Sequence, residues 1–242
     1  MSAVLFNLVI GWVMQCTTED QPRGIRWTLF DTLEDLDFAD DVALLSRAHQ
    51  HMQEKTCHLN KFGQQVGLQI SKRIMEVMTL NVNAPAAVLL DDRAPPSTET
   101  FTYLGSIVRQ DGGTSEDIQS RLSKSRNAFR SLTAVWRSSP YSIKTKLKLY
   151  HSCVLLTLLY GSECWLMTEH DLAKLSFHTT SVGKIQCIFW PRTISNHDLL
   201  ARCQQEDMET IITRKLYEAM ATPSPKLQST GPQRKRGSVV DR

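Results

Sequence analysis

Two acidic residues, Asp40-Asp41, stand between short apolar segments, and this is the feature that most narrows what the chain can build. Leu33, Leu36 and Phe38 lead in, Val42, Leu44 and Leu45 lead out, and Ala39-Asp40-Asp41 between them is short enough for a tight connection of two antiparallel strands. Both carboxylates then reach solvent at the tip of one hairpin. Side by side they repel, so the pair is best tolerated where a hard divalent cation sits between them. Asp is also a common turn former, and a solvated turn is the plain alternative for the pair taken by itself.

Composition bounds the rest. A length of 242 residues with 41% hydrophobic content suffices for one large or two small packed domains. The net charge of +3 and pI near 8.5 are too close to neutral to identify a partner, so the distribution of charge has to speak. Acids gather between Glu19 and Asp41. Bases dominate from Arg121 to Lys148, with Arg121, Lys124, Arg126, Arg130, Arg137, Lys144, Lys146 and Lys148. The six cysteines, Cys16, Cys57, Cys153, Cys164, Cys187 and Cys203, form no C-x-x-C pair and are expected to be reduced intracellular thiols, in the cytoplasm or nucleus. His49, His51, Cys57-His58, and Cys187 with His197 and Cys203 have no recognised zinc spacing. The apolar run from Ala3 to Met14 is too short to span a bilayer, so no membrane association is expected.

Periodicity predicts an α+β chain. Leu5, Leu8, Val9, Trp12 and Val13 fall at helical spacing, which predicts an amphipathic helix over 3–15 whose stripe packs beneath a sheet. A second helix is expected from Arg47 to Val66, stopped by Gly67, followed by short strands over 68–70 and 76–82. Phe101 to Arg109 is extended and ends at the Asp111-Gly112-Gly113 turn. From Thr114 the period becomes helical: Ile118, Leu122, Phe129, Leu132 and Trp136 share one face. After Pro140, Ile143, Leu147, Tyr150, Val154 and Leu158 face a core, with Lys144, Lys146 and Lys148 facing out. The expected division is a sheet-containing region over 1–113, a helical region over 114–218, and a disordered basic tail over 219–242.

Phe38-Ala39-Asp40-Asp41 resembles the F/Y-A-D-D motif of the reverse transcriptases of non-LTR (LINE-type, RTE-like) retrotransposons. The resemblance continues in order along the chain. Ser2-Ala3-Val4-Leu5-Phe6-Asn7 is similar to the end of the family's motif B, with Ala3 where proline is common. Gly67-Leu68-Gln69-Ile70-Ser71 with Glu76-Val77-Met78 resembles motif D, and Phe101-Thr102-Tyr103-Leu104-Gly105-Ser106 resembles the primer-grip hairpin. Leu159-Tyr160-Gly161-Ser162-Glu163-Cys164-Trp165 and Trp190 to Asn196 resemble the region beyond the palm, so that the likeness covers most of residues 1 to 215.

The resemblance implies an incomplete polymerase palm, an antiparallel sheet with helices on one face, followed by a helical thumb-like region. It implies RNA-directed DNA polymerase chemistry, with an RNA template, a DNA primer and dNTPs. Asp40 and Asp41 would be catalytic and hold Mg²⁺, with Asp37 in a supporting or solvated place. Phe101, Tyr103, Leu104 and Gly105 would grip the primer. Arg121, Lys124, Arg126, Arg130, Lys144, Lys146 and Lys148 would meet the nucleic-acid backbone.

The family's motif A aspartate, its fingers and the Gln-Gly that opens motif B have no counterpart in this sequence. Ile74-Met75 stand where the family places a lysine that would protonate leaving pyrophosphate, with Lys72 and Arg73 the nearest cations. The 242 residues alone are therefore expected to be inactive as a polymerase and to bind Mg²⁺ weakly or not at all. Two alternatives stand beside this one: a catalytically silent nucleic-acid-binding protein, and a retrotransposon relic without a selected role.

Overall fold

The computed structural model describes residues 2–18, 23–26, 32–80, 86–186 and 194–221, and the chain divides into two compact units, Met1–Thr114 and Ser115–Arg242. The described residues form helices and short antiparallel ladders, an α+β arrangement. Cys187, residues 190–193 of the last motif, and the expected tail from residue 222 lie outside the described residues; residues 219–221 are helical.

The first unit opens with helix α1 (Ala3–Thr18), which carries no charged residue. Its buried side is Val13, Met14 and Thr17, and it packs on helix α2 (His49–Gln65). The expected stripe beneath a sheet is corrected here: Val4, Leu5, Leu8 and Trp12 remain open to solvent, because the helix is apolar all round and only one side finds a neighbour. Trp12 lies edge-on to Phe62 of α2, with ring centroids 6.1 Å apart. Helix α2 ends as its sequence predicts. Gly67 takes φ +77°, its N–H donates to the Gln64 carbonyl at 3.1 Å, and Leu68 N–H reaches the Gly63 carbonyl at 2.9 Å. These two bonds satisfy carbonyls that the helix end would otherwise leave open.

Among the described residues of this unit, three two-stranded antiparallel ladders follow: β1 (Ile25–Arg26) with β2 (Thr32–Leu33), β3 (Asp35–Phe38) with β4 (Asp41–Leu44), and β5 (Thr100–Tyr103) with β6 (Ser106–Arg109). One continuous sheet was expected and is not formed by the described residues. The strands expected near 68–70 and 76–80 reduce to an isolated bridge, Val77 to Ser97, so no ladder there joins the hairpins. Among the described residues of this unit, only four apolar side chains are buried, Val13, Met14, Val88 and Leu90.

The second unit has a conventional core. Helix α3 (Ser115–Ser131) buries Ile118, Leu122 and Phe129, the face that the spacing predicts, and the short α4 (Thr133–Arg137) adds Trp136. Trp136 stacks on Phe129 at 5.2 Å, and its indole N–H donates to the Phe129 carbonyl at 2.7 Å. Helix α5 (Ile143–Leu149), capped by the Ser142 hydroxyl, runs into a π-helical segment, Tyr150–Leu155, and then α6 (Leu156–Leu158). Tyr150, Val154 and Leu158 are fully buried, as their spacing requires, while Ile143 at the first turn stays exposed. Helices α7 (Glu169–Lys174), α8 (Phe177–Ile185), α9 (Asn196–Cys203) and α10 (Met208–Ala221) close over them. No described helix is long and apolar enough to cross a membrane.

Candidate catalytic hairpin and basic helices

The site begins with register. In the β3–β4 ladder Asp35 faces Leu44, Leu36 faces Ala43, Asp37 faces Val42 and Phe38 faces Asp41. Opposed residues share a face, so Asp35 and Asp37 lie on one side of the hairpin and Asp41 on the other, with Ala39 and Asp40 forming the loop. Asp37, Asp40 and Asp41 are all exposed, as the sequence implies for the pair at the tip. Ala39 has φ +56°, a left-handed conformation that costs an L-residue roughly 1–2 kcal/mol. A positive φ at the first of two loop positions is the pattern of a hairpin turn that elsewhere prefers glycine.

The base of this hairpin is clamped. Lys55 of α2 is almost fully buried and donates to the carbonyls of Glu34 and Leu45 at 3.0 and 2.7 Å and to the Glu34 carboxylate at 2.5 Å. The same carboxylate accepts the Gly24 N–H at 2.9 Å, tying β1 to the hairpin. Leu45 N–H donates to the Glu34 carbonyl at 2.9 Å and extends the ladder. Nothing in the sequence singles out Lys55, whose burial depends on three acceptors from two residues at the base of the hairpin, Glu34 and Leu45. Burial first, then the Asp37 charge, pushes the Asp35 carboxyl up to about 6, although Lys55 draws it down.

The second hairpin, β5–β6, turns through Leu104 and Gly105, with φ +48° and +81°. Two successive positive values give the tight turn that matches strand twist, and Leu104 is a bulky residue for the first of them. Phe101 and Tyr103 share a face and stack at 6.4 Å with their planes 17° apart. The Tyr103 hydroxyl is held above its ordinary pKa by burial, and then by the charges of Asp37, Asp41 and Asp35. Segments separated by some sixty residues of sequence are thus within electrostatic reach of each other in one unit.

Of the seven basic residues expected to meet a nucleic-acid backbone, two are corrected. Arg121 is buried, 3.8 Å from Asp117, with its guanidinium over the Tyr160 ring at 4.2 Å. Lys146 is buried too, and donates to the Trp136 carbonyl at 2.9 Å. Both face inward because local acceptors and a ring sit where alternation of charge suggests solvent. Lys124 and Arg130 are exposed on α3, and Arg126 is half-buried above the Phe177 ring at 5.6 Å. Lys144 and Lys148 are exposed on α5, beside an apolar groove. Lys72, near the place where the family has its motif D lysine, pairs with Asp91 at 2.6 Å, while Ile74 is exposed.

The Tyr160 to Trp165 motif has a structural role. Trp165 donates its indole N–H to Asp117 at 2.8 Å, Gly161 turns the chain at φ +75°, and Lys215 of α10 donates to the Leu159 carbonyl at 3.1 Å. A second buried polar group surrounds Asp171 of α7. Against the upward push of burial, Lys174, Thr168 and Ser115 hold its pKa below the ordinary value. In the core, Tyr150 and His178 share a hydrogen bond of 2.9 Å, and burial lowers the His178 pKa to about 4.

For a metal, the described residues offer no group of three or more His, Cys, Asp or Glu around one point. Asp40 and Asp41 supply two adjacent carboxylates, which matches what Mg²⁺ takes from a protein when substrate phosphates and water complete its shell. They do not make a closed cage. Comparison of the chain with protein-family models, with curated proteins and with solved structures finds no match.

Proposed function

We propose that the first unit is the catalytic-turn and primer-grip part of a polymerase palm of the reverse-transcriptase kind found in non-LTR retrotransposons, and that the helices after Thr114 are its thumb-like region. The observation that carries this reading is that the F-A-D-D segment folds as an antiparallel hairpin with Asp40 and Asp41 exposed at its tip, while the F-T-Y-L-G-S segment forms a second tight hairpin in the same unit. The reaction is RNA-directed nucleotidyl transfer from a dNTP to a DNA primer on an RNA template.

Asp40 and Asp41 are the residues that would hold a divalent cation, which, when bound, stabilises charge on the transferring phosphoryl oxygens. Tyr103, Leu104 and Gly105 would position the primer strand, and exposed Lys124 and Arg130 would neutralise backbone phosphates. Two carboxylates from a single motif are an incomplete catalytic set, so the 242 residues by themselves bind a primer–template without extending it. The second reading, a silent nucleic-acid binder, draws on the same exposed bases of α3.

The experiment is a gel shift of the purified chain on an RNA·DNA hybrid over a salt series, with primer extension assayed in parallel. Salt-dependent binding, and Fe²⁺-promoted cleavage of the chain near residues 38–42 that Asp40→Ala abolishes, support the polymerase assignment. Salt-dependent binding without that cleavage leaves the silent binder, and no binding to RNA, DNA or hybrid overturns both. Extension that Asp40→Ala abolishes would overturn the expected silence while strengthening the assignment.

A further inference from the structure

The second unit carries an open groove of about 1120 Å³, lined by α5, the π-helical segment, α6, α9 and α10. Its floor is apolar, with Leu147, Leu155, Leu159 and Ile211, and Leu156 stands 62% exposed. Its rim is basic. Arg214 is neutralised by Glu206 at 2.8 Å and Glu218 at 3.8 Å, and Lys215 lies 3.8 Å from Glu163. Lys144, Lys148 and Arg202 are exposed and pair with no carboxylate among the described residues.

We infer that this groove is a docking site for an acidic amphipathic helix of a protein partner. An apolar floor takes the leucine face of such a helix, and the three unanswered cations meet carboxylates along its flanks. The groove exceeds the roughly 300–1,000 Å³ of ordinary small-molecule pockets, and a helix about 10–12 Å across suits its open form. A single-stranded nucleic acid fits less well, since its bases stack on aromatic faces. The one ring among the described lining residues, His151, is hydrogen-bonded to Gln205.

Nor do residues 187–193 and 222–242 supply the missing acid. Residues 222–242 hold Lys226, Arg234, Lys235, Arg236 and Arg242 against a single Asp241, and 187–193 hold no acid at all. A second copy docked groove to groove would set the same three cations against their own kind. The wall of the groove includes three residues of the π-helical segment, His151, Ser152 and Leu155, a geometry that recurs at functional sites.

The test is fluorescence anisotropy of the full chain with a synthetic helical peptide of about 16 residues, with leucines at i, i+3, i+4 and i+7 and glutamates beside them. Binding should weaken as salt rises, fall at least about tenfold in the Lys148→Glu/Arg202→Glu double variant, and fall again with Leu156→Ala. All three positions are exposed, and near-UV signals from Trp136 and Trp165 report that the core is intact. Equal binding by parent and double variant overturns the proposal. So does displacement of the peptide by a single-stranded oligonucleotide, which assigns the groove to nucleic acid, or a dimer in sedimentation that the peptide dissociates, which assigns it to a second copy.

Discussion

The Lys55 ammonium lies 2.5 Å from a Glu34 carboxylate oxygen, with 2% and 17% of the two side chains exposed. Replacing Lys55 by Met removes the countercharge of a shielded carboxylate, leaves the Leu45 carbonyl without its donor and leaves the Glu34 carbonyl only the Leu45 N–H, so the loss is about 3 kcal/mol. Denaturant titration measures it. Amide exchange should place the opening in the β3–β4 hairpin and α2 while α3 stays protected; uniform loss across both units would contradict the clamp.

Gly24 tests the same region from the other side. A Cβ built there would stand 2.0 Å from the Leu33 carbonyl oxygen, a backbone atom that cannot move without breaking the β1–β2 pairing. Gly24→Ala is expected to cost about 1–3 kcal/mol and to release the Glu34 contact as well. Unchanged stability and exchange at Ile25 and Arg26 would show that the close approach is not held in solution.

Leu104 occupies a left-handed position that Asn adopts readily, next to Gly105. The strain is local, so Leu104→Asn should stabilise the β5–β6 hairpin by about 0.5–1 kcal/mol. The readout is a higher Tm or denaturation midpoint. If Leu104 instead touches the primer, the same variant weakens hybrid binding while it stabilises the fold.

The two units should answer pH in opposite directions. His178, with a folded pKa of about 4 against 6.5, is protonated first in the unfolded chain. Its contribution is therefore complete above about pH 6.5 and is lost as pH falls through 4. Asp35, raised from 3.8 to about 6, binds its proton more tightly when folded, so its contribution is complete below 3.8 and is lost as pH rises through 6. Denaturation between pH 4 and 7, compared with His178→Gln and Asp35→Asn, resolves the two slopes. A slope unchanged by either variant refutes the corresponding assignment.

Arg121 and Lys124 lie three residues apart on α3 and should behave differently. Arg121→Ala removes a buried ion pair and a ring contact, and is expected to cost the second unit about 3 kcal/mol without changing the salt dependence of hybrid binding. Lys124→Ala should leave stability within about 0.5 kcal/mol and reduce the logarithmic salt slope by about one. The reverse pattern would place Arg121, not Lys124, against the nucleic acid.

The sequence by itself determined the local elements. The alternation around Ala39-Asp40-Asp41 required a hairpin with its carboxylates exposed, Gly67 ended α2, and the spacing of Ile118, Leu122 and Phe129 selected the buried face of α3. These depend on neighbours two to four residues apart, which periodicity records. Tertiary structure alone decided the burial of Lys55, Arg121 and Lys146, because each needs acceptors or a ring brought from another segment. It also decided that α1 has one covered side and one open side, and that the described strands remain separate ladders. A pattern of apolar residues states which surfaces seek cover; only the packing of distant segments determines which of them find it.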